Sequence, residues 1–189
     1  MVQPAPQAAP DNASVPNSPR VTKTIRQADS LSEAETKQLY GWGDDIFGAD
    51  AFNLRWRPKD VHFLLEIDGV AVSHVGVLKH DVLVDGAPVK VGGVGGVVTL
   101  PAWQRHGYAR ELMQHTVDFF SRWEIDAGFL FCMPWRVAFY ESQGWQVVHQ
   151  PVTVEQPTGE ILSPLGVMVI PTGKFVWPEG TVQLNSYPW

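Results

Sequence analysis

The chain has 189 residues, of which 44% are hydrophobic and 18% are charged, a balance that is typical of a globular protein and excludes an intrinsically disordered one. Its net charge of −6 and the lack of any Lys/Arg-rich run argue against nucleic acid or an anionic membrane as partners. A single cysteine excludes an intrachain disulfide and a Cys-based zinc site, and the six histidines show no metal-ligand spacing, so we expect no metal.

Residues 1–20 are rich in Pro, Ala, Asn and Ser, which predicts a disordered tail. This stretch lacks the basic start and the apolar run of a signal peptide, and no apolar run elsewhere approaches the ~20 residues of a membrane span. We therefore expect a cytoplasmic protein with one folded domain over residues 21–189.

The first half of that domain predicts a strand, a helix and a three-strand meander. Alternation favours a strand at residues 21–27, and Ser30 or Ser32 can cap a helix that ends at Tyr40. A second short helical piece is expected at residues 44–47. Two Asp-Gly pairs are strong hairpin signals. They separate three predicted antiparallel strands, at residues 60–67, 70–84 and 87–100. The third of these strands is glycine-rich, which indicates a bulge or a splayed edge.

The second half alternates helices with strands. Apolar residues at three- and four-residue spacing predict an amphipathic helix over residues 105–123. The apolar run at 127–133 is typical of a buried central strand, and Pro134 and Gly144 mark the start and the end of another helix. Two more strands are expected, at residues 145–148 and 166–171, with a turn at 157–159. This order predicts an α+β fold whose strand–helix–strand unit is parallel and right-handed.

The stretch QRHGYA, from Gln104 to Ala109, joins a predicted strand to a predicted helix. A helix N-terminus carries unpaired N–H groups and partial positive charge, and Gly107 lets a ligand approach the backbone closely. Neither a Walker loop nor a Rossmann glycine pattern is present. The residues alone leave two interpretations open, a plain connection and a pyrophosphate site.

QRHGYA resembles the Q/R-x-x-G-x-G/A signature of the GNAT acetyltransferases, and AFYESQGW, residues 138–145, is similar to the A-x-F-Y-x-x-x-G-F ending of that family. The two motifs stand in the family's order, and the resemblance covers residues 21 to at least 148. It implies the GNAT fold, a mixed sheet of about six to seven strands flanked by helices. It also implies an enzyme that transfers an acetyl group from acetyl-CoA to an amine. The framework further resembles the aminoglycoside 2'-N-acetyltransferases, in stretches such as GVAVSHVGV and GGVVTLPAW.

The resemblance assigns acetyl-CoA to the turn and the strand before it. Backbone N–H groups of the turn would bind the pyrophosphate, with added charge from Arg105 or Arg110. The pantetheine arm would pair with residues 97–99, and the N–H of Val97 or Val98 would polarise the thioester carbonyl. The predicted cofactor-binding residues are Val97, Val98, Thr99, Gln104, Arg105, His106, Gly107, Tyr108, Ala109 and Arg110.

The catalytic candidates are Tyr140, His74 and Trp189. Tyr140 matches the family's tyrosine that protonates the leaving thiolate, although it could be an ordinary core residue. The glycine-rich strand has no carboxylate to serve as general base. His74 could act as base through a water or be a core histidine. The carboxylate of Trp189 could reach the site, or it could belong to a surface or dimer contact.

We expect an acetyl-CoA-dependent N-acetyltransferase that acts on a primary amine of a small molecule. Gly95 stands where the aminoglycoside enzymes carry Glu, and their other acidic positions fall at Leu165 and Tyr187. These losses, and a surplus of Trp and Phe that we expect to line a cavity in part, favour an acceptor less cationic than an aminoglycoside. Two alternatives stay open: an acyl-CoA-binding sensor or interaction domain without catalysis, and an enzyme for an already neutral amine. A homodimer also stays open.

Overall fold

The computed structural model describes residues 21–189, so the tail predicted at residues 1–20 lies outside the described residues. Ten strands in the described range join one sheet. The strands are β1 (Lys23–Ala28), β2 (Val61–Ile67), β3 (Val70–Val84), β4 (Ala87–Thr99), β5 (Ala127–Cys132), β6 (Gln146–Val147), β7 (Val152–Gln156), β8 (Gly159–Leu162), β9 (Gly166–Pro171) and β10 (Val182–Gln183). The helices are α1 (Glu33–Tyr40), α2 (Tyr108–Phe120) and α3 (Val137–Glu141), with 3-10 turns at Asp50–Phe52, Pro101–Trp103 and Pro134–Arg136.

The sheet is mixed, and its order is β6-β9-β5-β4-β3-β10-β7-β8, with β2 paired to β3 and β1 paired to β2. The meander from β2 to β4 is antiparallel, whereas β4 and β5 run parallel with α2 between them in the chain. The α+β class and the parallel unit are confirmed. The sheet has more strands than expected because β7 and β8 form a hairpin around the predicted turn at 157–159, and the two-residue β10 joins the sheet between β3 and β7.

The glycine-rich strand β4 leaves β5 halfway along its length. It pairs with β5 only from Val91 to Val94, although it continues to Thr99. Beyond that point a bulge sets Gly96 and Val97 against one residue of β3, Val75. Gly96 has a φ of 61°, which is costly for a side-chain-bearing residue. The predicted bulge and splay are therefore confirmed, and they open the sheet between β4 and β5.

The helix boundaries differ from the prediction in several places. α2 ends at Phe120 and not at residue 123, and the helix expected from Pro134 is a 3-10 turn until α3 begins at Val137. α2 begins at Tyr108 and not at residue 105, because Arg105 and Gly107 adopt left-handed φ values of 64° and 83°. No helix forms at residues 44–47. Asp45 instead accepts hydrogen bonds from the N–H groups of Ala49 and Asp50, at the start of a 3-10 turn. The helix α1 follows the prediction, with Ser32 as its N-cap.

Buried side chains lie on both faces of the sheet. One cluster includes Phe63 of β2, Leu112 and Phe120 of α2, and Leu130 of β5. A second cluster includes residues of β3, β4 and β9 together with Trp189. The hydrophobic stripe of α2 thus covers one face, as the spacing predicted. Within residues 21–189, no helix has both the length and the hydropathy that a membrane crossing requires.

Candidate active site

A cavity of about 1030 Å³ opens where β4 departs from β5. Its walls come from β4 beyond Val94, the turn before α2, the end of β5, α3 and the segment between α1 and β2. The expectation that surplus aromatic side chains line a cavity is confirmed. The aromatic residues at the cavity are Tyr40, Trp42, Phe47, Trp56, Trp103, Tyr108, Phe131, Phe139, Tyr140 and Trp189.

The turn before α2 presents a row of free donors at one end of this cavity. The backbone N–H groups of residues 105–110 donate to no acceptor within residues 21–189. Gly107 has a φ of 83°, and a Cβ placed there would meet nothing within 4 Å. The positive end of the α2 dipole and the side chains of Arg105 and Arg110 lie at the same place. This donor set fits a pyrophosphate.

Lys59 lies across the sheet on the floor of the cavity. A Cβ on Gly76 of β3 would stand 2.6 Å from its Cγ, and a Cβ on Gly95 of β4 would stand 2.8 Å from its Cε. The two glycines, which pair across the strands, therefore make room for the lysine stem. Burial lowers the pKa of Lys59 to about 8. No ion pair within residues 21–189 includes this lysine.

His74 lies beneath the cavity and does not line it, since only 1% of it is exposed. Its Nδ1 is 2.7 Å from the carbonyl oxygen of Gly96 and 2.7 Å from the hydroxyl of Tyr40. Its Nε2 is 2.9 Å from Nδ1 of His62. Burial lowers the pKa of His74 to about 3, so the ring is neutral at neutral pH. Both ring nitrogens are engaged, which leaves neither for a water in the cavity.

His62 lines the cavity, and the sequence analysis did not single it out. It is opposite Gly76 on β3, which is opposite Gly95 on β4. No local pattern could have found it, because a register set by the Asp68–Gly69 turn alone would place His62 and His74 on opposite faces of the sheet. A register shift between Leu65 and Glu66 brings the two rings onto one face. Burial, and then the positive charge of Lys59, lower the pKa of His62.

A family model described as "Acetyltransferase (GNAT) domain" matches residues 32–148. The chain belongs to the GNAT acetyltransferases. These enzymes use acetyl-CoA as the acyl donor. No curated protein sequence matches the chain significantly.

Solved GNAT structures share the fold. A GNAT-family acetyltransferase from Brucella melitensis in complex with acetyl-CoA has 18% identity and a TM-score of 0.54, and the match covers 85% of this chain and 94% of that one. A GNAT-family N-acetyltransferase from Escherichia coli in complex with CoA has 14% identity and a TM-score of 0.56, with 89% and 93% covered. N-acetylglutamate synthase from Neisseria gonorrhoeae, complexed with coenzyme A and N-acetyl-glutamate, has 12% identity and a TM-score of 0.54, with 80% and 36% covered.

In this GNAT chain, most of the predicted cofactor-binding residues line the cavity. Nine of the ten lie at its walls, and the exception is His106. The His106 side chain is exposed, and its Nδ1–H donates to the carbonyl oxygen of Gln104 at 2.9 Å. Its ring stacks on Tyr108 at 5.6 Å between centroids, so it braces the turn from outside.

Tyr140 of this GNAT domain lies in the cavity wall on α3 and is 7% exposed. Its ring packs against Phe139 and Trp145, while its hydroxyl makes no hydrogen bond to another group in residues 21–189. Burial raises the pKa of Tyr140 above its usual value, so the hydroxyl keeps its proton at neutral pH. Burial also raises the pKa of the neighbouring Cys132 thiol to about 11.

Trp189 forms part of the same wall and is 3% exposed. Its indole covers Gly93, where a Cβ would stand 2.4 Å from the ring, and its Nε1–H donates to the carbonyl oxygen of Phe129 at 3.4 Å. The carbon and one oxygen of its terminal carboxylate lie 2.8 Å from the position of a Cβ on Gly95. The glycines of β4 thus accommodate Trp189 and Lys59.

Proposed function

We propose that this GNAT enzyme transfers the acetyl group of acetyl-CoA to a primary amine of a small molecule. The observation that carries the proposal is the alignment, along one cavity, of the free N–H groups of residues 105–110, the open edge of β4 and the Tyr140 hydroxyl. Acetyl-CoA supplies the activated acetyl group as a thioester. Its pyrophosphate, pantetheine arm and thioester would each contact a different group of residues along the cavity.

The turn would hold the pyrophosphate through the backbone N–H groups of residues 105–110, with charge from Arg105 and Arg110. The edge of β4 that faced β5 is unpaired after Val94 in the described residues, so Val97, Val98 and Thr99 offer backbone groups to the pantetheine amides. The N–H of Val97 or Val98 would polarise the thioester carbonyl. A preformed donor of this kind is worth roughly 10²–10³ in kcat in other acyl-transfer enzymes.

Tyr140 would donate a hydrogen bond to the departing sulfur. Its raised pKa means that it holds its proton firmly before the reaction and is always present as a donor. The proton moves to the sulfur as the C–S bond breaks and negative charge builds on the sulfur. The lack of a protein partner for the hydroxyl supports this role, because a structural tyrosine that is buried usually bonds its hydroxyl.

The acceptor would be an apolar or aromatic amine with few positive charges. Trp42, Phe47 and Trp56 line the acceptor half of the cavity, and the positive Lys59 lies over Gly95 beside the Trp189 carboxylate. Leu165, at a second position that is acidic in the aminoglycoside enzymes, is buried in the wall. The resemblance to the aminoglycoside enzymes therefore does not imply that this protein acts on an aminoglycoside.

His74 is not in a position to act as the general base. His74 has no free ring nitrogen, and we propose a positioning role for it below. A catalytic role for the Trp189 carboxylate stays a prediction, as do a cytoplasmic location and a homodimer.

An acceptor screen tests the proposal. The protein is incubated with acetyl-CoA and one of 2-phenylethylamine, aniline, an aliphatic diamine or an aminoglycoside, and free CoA thiol is measured. We expect thiol release with 2-phenylethylamine or aniline well above the rate without acceptor, and little with the aminoglycoside. Intact acetyl-CoA binding without turnover of any amine would contradict the proposal and favour an acyl-CoA-binding module.

A further inference from the structure

The polar cluster on the cavity face of β2, β3 and β4 is not explained by cofactor binding. Tyr40, His62 and His74 form a chain of short contacts that ends at the carbonyl of Gly96, the first residue of the β4 bulge. Such a buried polar chain is costly unless each member is hydrogen-bonded. The glycines around it leave space for it: a Cβ on Gly76 or on Gly96 would stand 3.3 Å from Cε1 of His74.

The contacts fix which nitrogen of each ring carries hydrogen. The carbonyl oxygen of Gly96 can only accept, so Nδ1 of His74, at 2.7 Å, must be the donor. The opposite tautomer would set two lone pairs against each other at that distance. The hydroxyl oxygen of Tyr40 then accepts from the same Nδ1–H, and the tyrosine keeps its own proton.

The tautomer of His74 determines the tautomer of His62. With its hydrogen on Nδ1, His74 has a bare Nε2, which accepts from Nδ1–H of His62 at 2.9 Å. The hydrogen of neutral His62 is thereby held on Nδ1, and its Nε2 carries the lone pair. Since the Nδ1 side faces His74, the lone pair lies on the opposite side of a ring that lines the cavity.

We propose that His62 is the group that removes the proton from the acceptor amine, with His74 and Tyr40 as the residues that position it. This inference rests on the acetyl transfer proposed above. β4 provides no carboxylate for this task, and neighbouring strands ~4.8 Å apart bring His62 within about 10 Å of the β4 backbone before its side chain reaches inward. Because His62 lines the cavity and its Nδ1 is taken up by His74, its Nε2 can serve as the base in place of a carboxylate on β4.

The proton and electron balance is simple. The ammonium form of the acceptor gives one proton to Nε2 of His62, which is half-buried and releases it to solvent. The neutral nitrogen then forms the C–N bond to the acetyl carbon, and the C–S bond breaks with its electron pair on sulfur. The second proton lost by the nitrogen balances the proton that the sulfur gains beside Tyr140.

The charged groups around His62 set the pH range. Lys59, on the segment before β2, and burial lower the pKa of His62, and Glu35 of α1 raises it slightly. The neutral His74 and Tyr40 add no charge at neutral pH. The base is therefore unprotonated at neutral pH and is lost by protonation only in acid.

Two-dimensional NMR of the histidine rings in the full chain tests the tautomers without any acceptor. We expect His62 and His74 both as the Nδ1–H tautomer, and His62 to lose this preference in the His74→Gln variant. His62 found as the Nε2–H tautomer in the wild type would overturn the proposal. The wild-type spectrum decides this even where His74→Gln does not fold.

The activity arm compares His62→Gln with His149→Gln, an exposed histidine away from the cavity. With 2-phenylethylamine as acceptor, we expect kcat/KM to fall by about 10²-fold or more in His62→Gln only. The acid limb of the pH profile should disappear while the acetyl-CoA-induced thermal shift persists. Unchanged kcat/KM and an unchanged acid limb in His62→Gln would overturn the inference alone. A wild type that does not bind acetyl-CoA would instead overturn the proposed function.

Discussion

Lys59 fills the space that a side chain on Gly95 would need, since a Cβ there would stand 2.8 Å from Cε of the lysine. A positive and partly buried group lies on the floor of the acceptor half. This charge supports the proposal of an acceptor with few positive charges.

Substituting Gly95 tests that packing. Gly95→Ala should lower the free energy of unfolding by about 1–3 kcal/mol, because the new methyl group meets Lys59 and the Trp189 backbone at 2.8 Å. Adding Lys59→Ala should recover part of that loss, since it removes one of the two obstacles. Chemical denaturation of the two single variants and the double variant measures the coupling. Strictly additive effects would show that the lysine does not lie over Gly95.

Lys59 also makes stability depend on pH. Its pKa is about 8 in the folded protein, below the ordinary value of 10.5, so the unfolded chain binds this proton more tightly. Stability from this residue is lost as pH falls from about 10.5 to about 8 and is constant below. Lys59→Met should therefore raise the free energy of unfolding more at pH 7 than at pH 10. An equal effect at both pH values would mean that Lys59 is not desolvated.

The turn before α2 has a close backbone match elsewhere in the chain. Gly107 and Gly86 have φ values of 83° and 81°, and a Cβ at either would meet nothing within 4 Å. Gly107→Glu and Gly86→Glu should thus cost similar stability, since both force a side chain into the left-handed region. Only Gly107→Glu should abolish acetyl-CoA binding, because it puts a carboxylate beside the phosphates.

Calorimetric titration of both glutamate variants with acetyl-CoA makes the comparison. Wild-type affinity in Gly107→Glu would remove the turn from the cofactor site. A loss of affinity in Gly86→Glu as well would point to a general effect on folding.

Tyr140→Phe removes the proposed donor and leaves the packing of the ring on Phe139 and Trp145. We expect kcat to fall by about 10²-fold with little change in acetyl-CoA affinity. Tyr187→Phe is the control, because Tyr187 is partly exposed and does not line the cavity. Equal turnover in the two variants would assign the leaving-group proton to another source.

Local patterns predicted the architecture well because they depend on neighbours in the chain. The Asp-Gly turns, the stripe of α2 and the glycine-rich β4 correspond to a hairpin, a covering helix and a bulged strand. The start of α2 was placed too early because left-handed φ at Arg105 is imposed by the turn and has no periodic signal. The two-residue strand β10 is too short to give a periodic signal.

The site was predicted less completely than the fold. QRHGYA and Tyr140 are contiguous signals, and they lie at the cavity. The cluster around His74 joins residues from α1, β2, β3 and β4, and its function depends on which atoms meet across strands. His62 is a single unremarked residue in β2 until the register sets it beside His74. The position of Lys59 was likewise not predictable from the sequence, because it depends on the space left by Gly76 and Gly95 on two other strands.

The most direct test of the central claim is thermal unfolding with acetyl-CoA, with free CoA and with ATP. A ligand at ~100 times its Kd adds roughly 2.7 kcal/mol to the free energy of unfolding. For a domain of this size that corresponds to several degrees in Tm, at roughly 2–4 °C per kcal/mol. We predict such a shift with acetyl-CoA and CoA and a smaller one or none with ATP. No shift at millimolar acetyl-CoA would contradict the account, because the turn and β4 would then not be a CoA site.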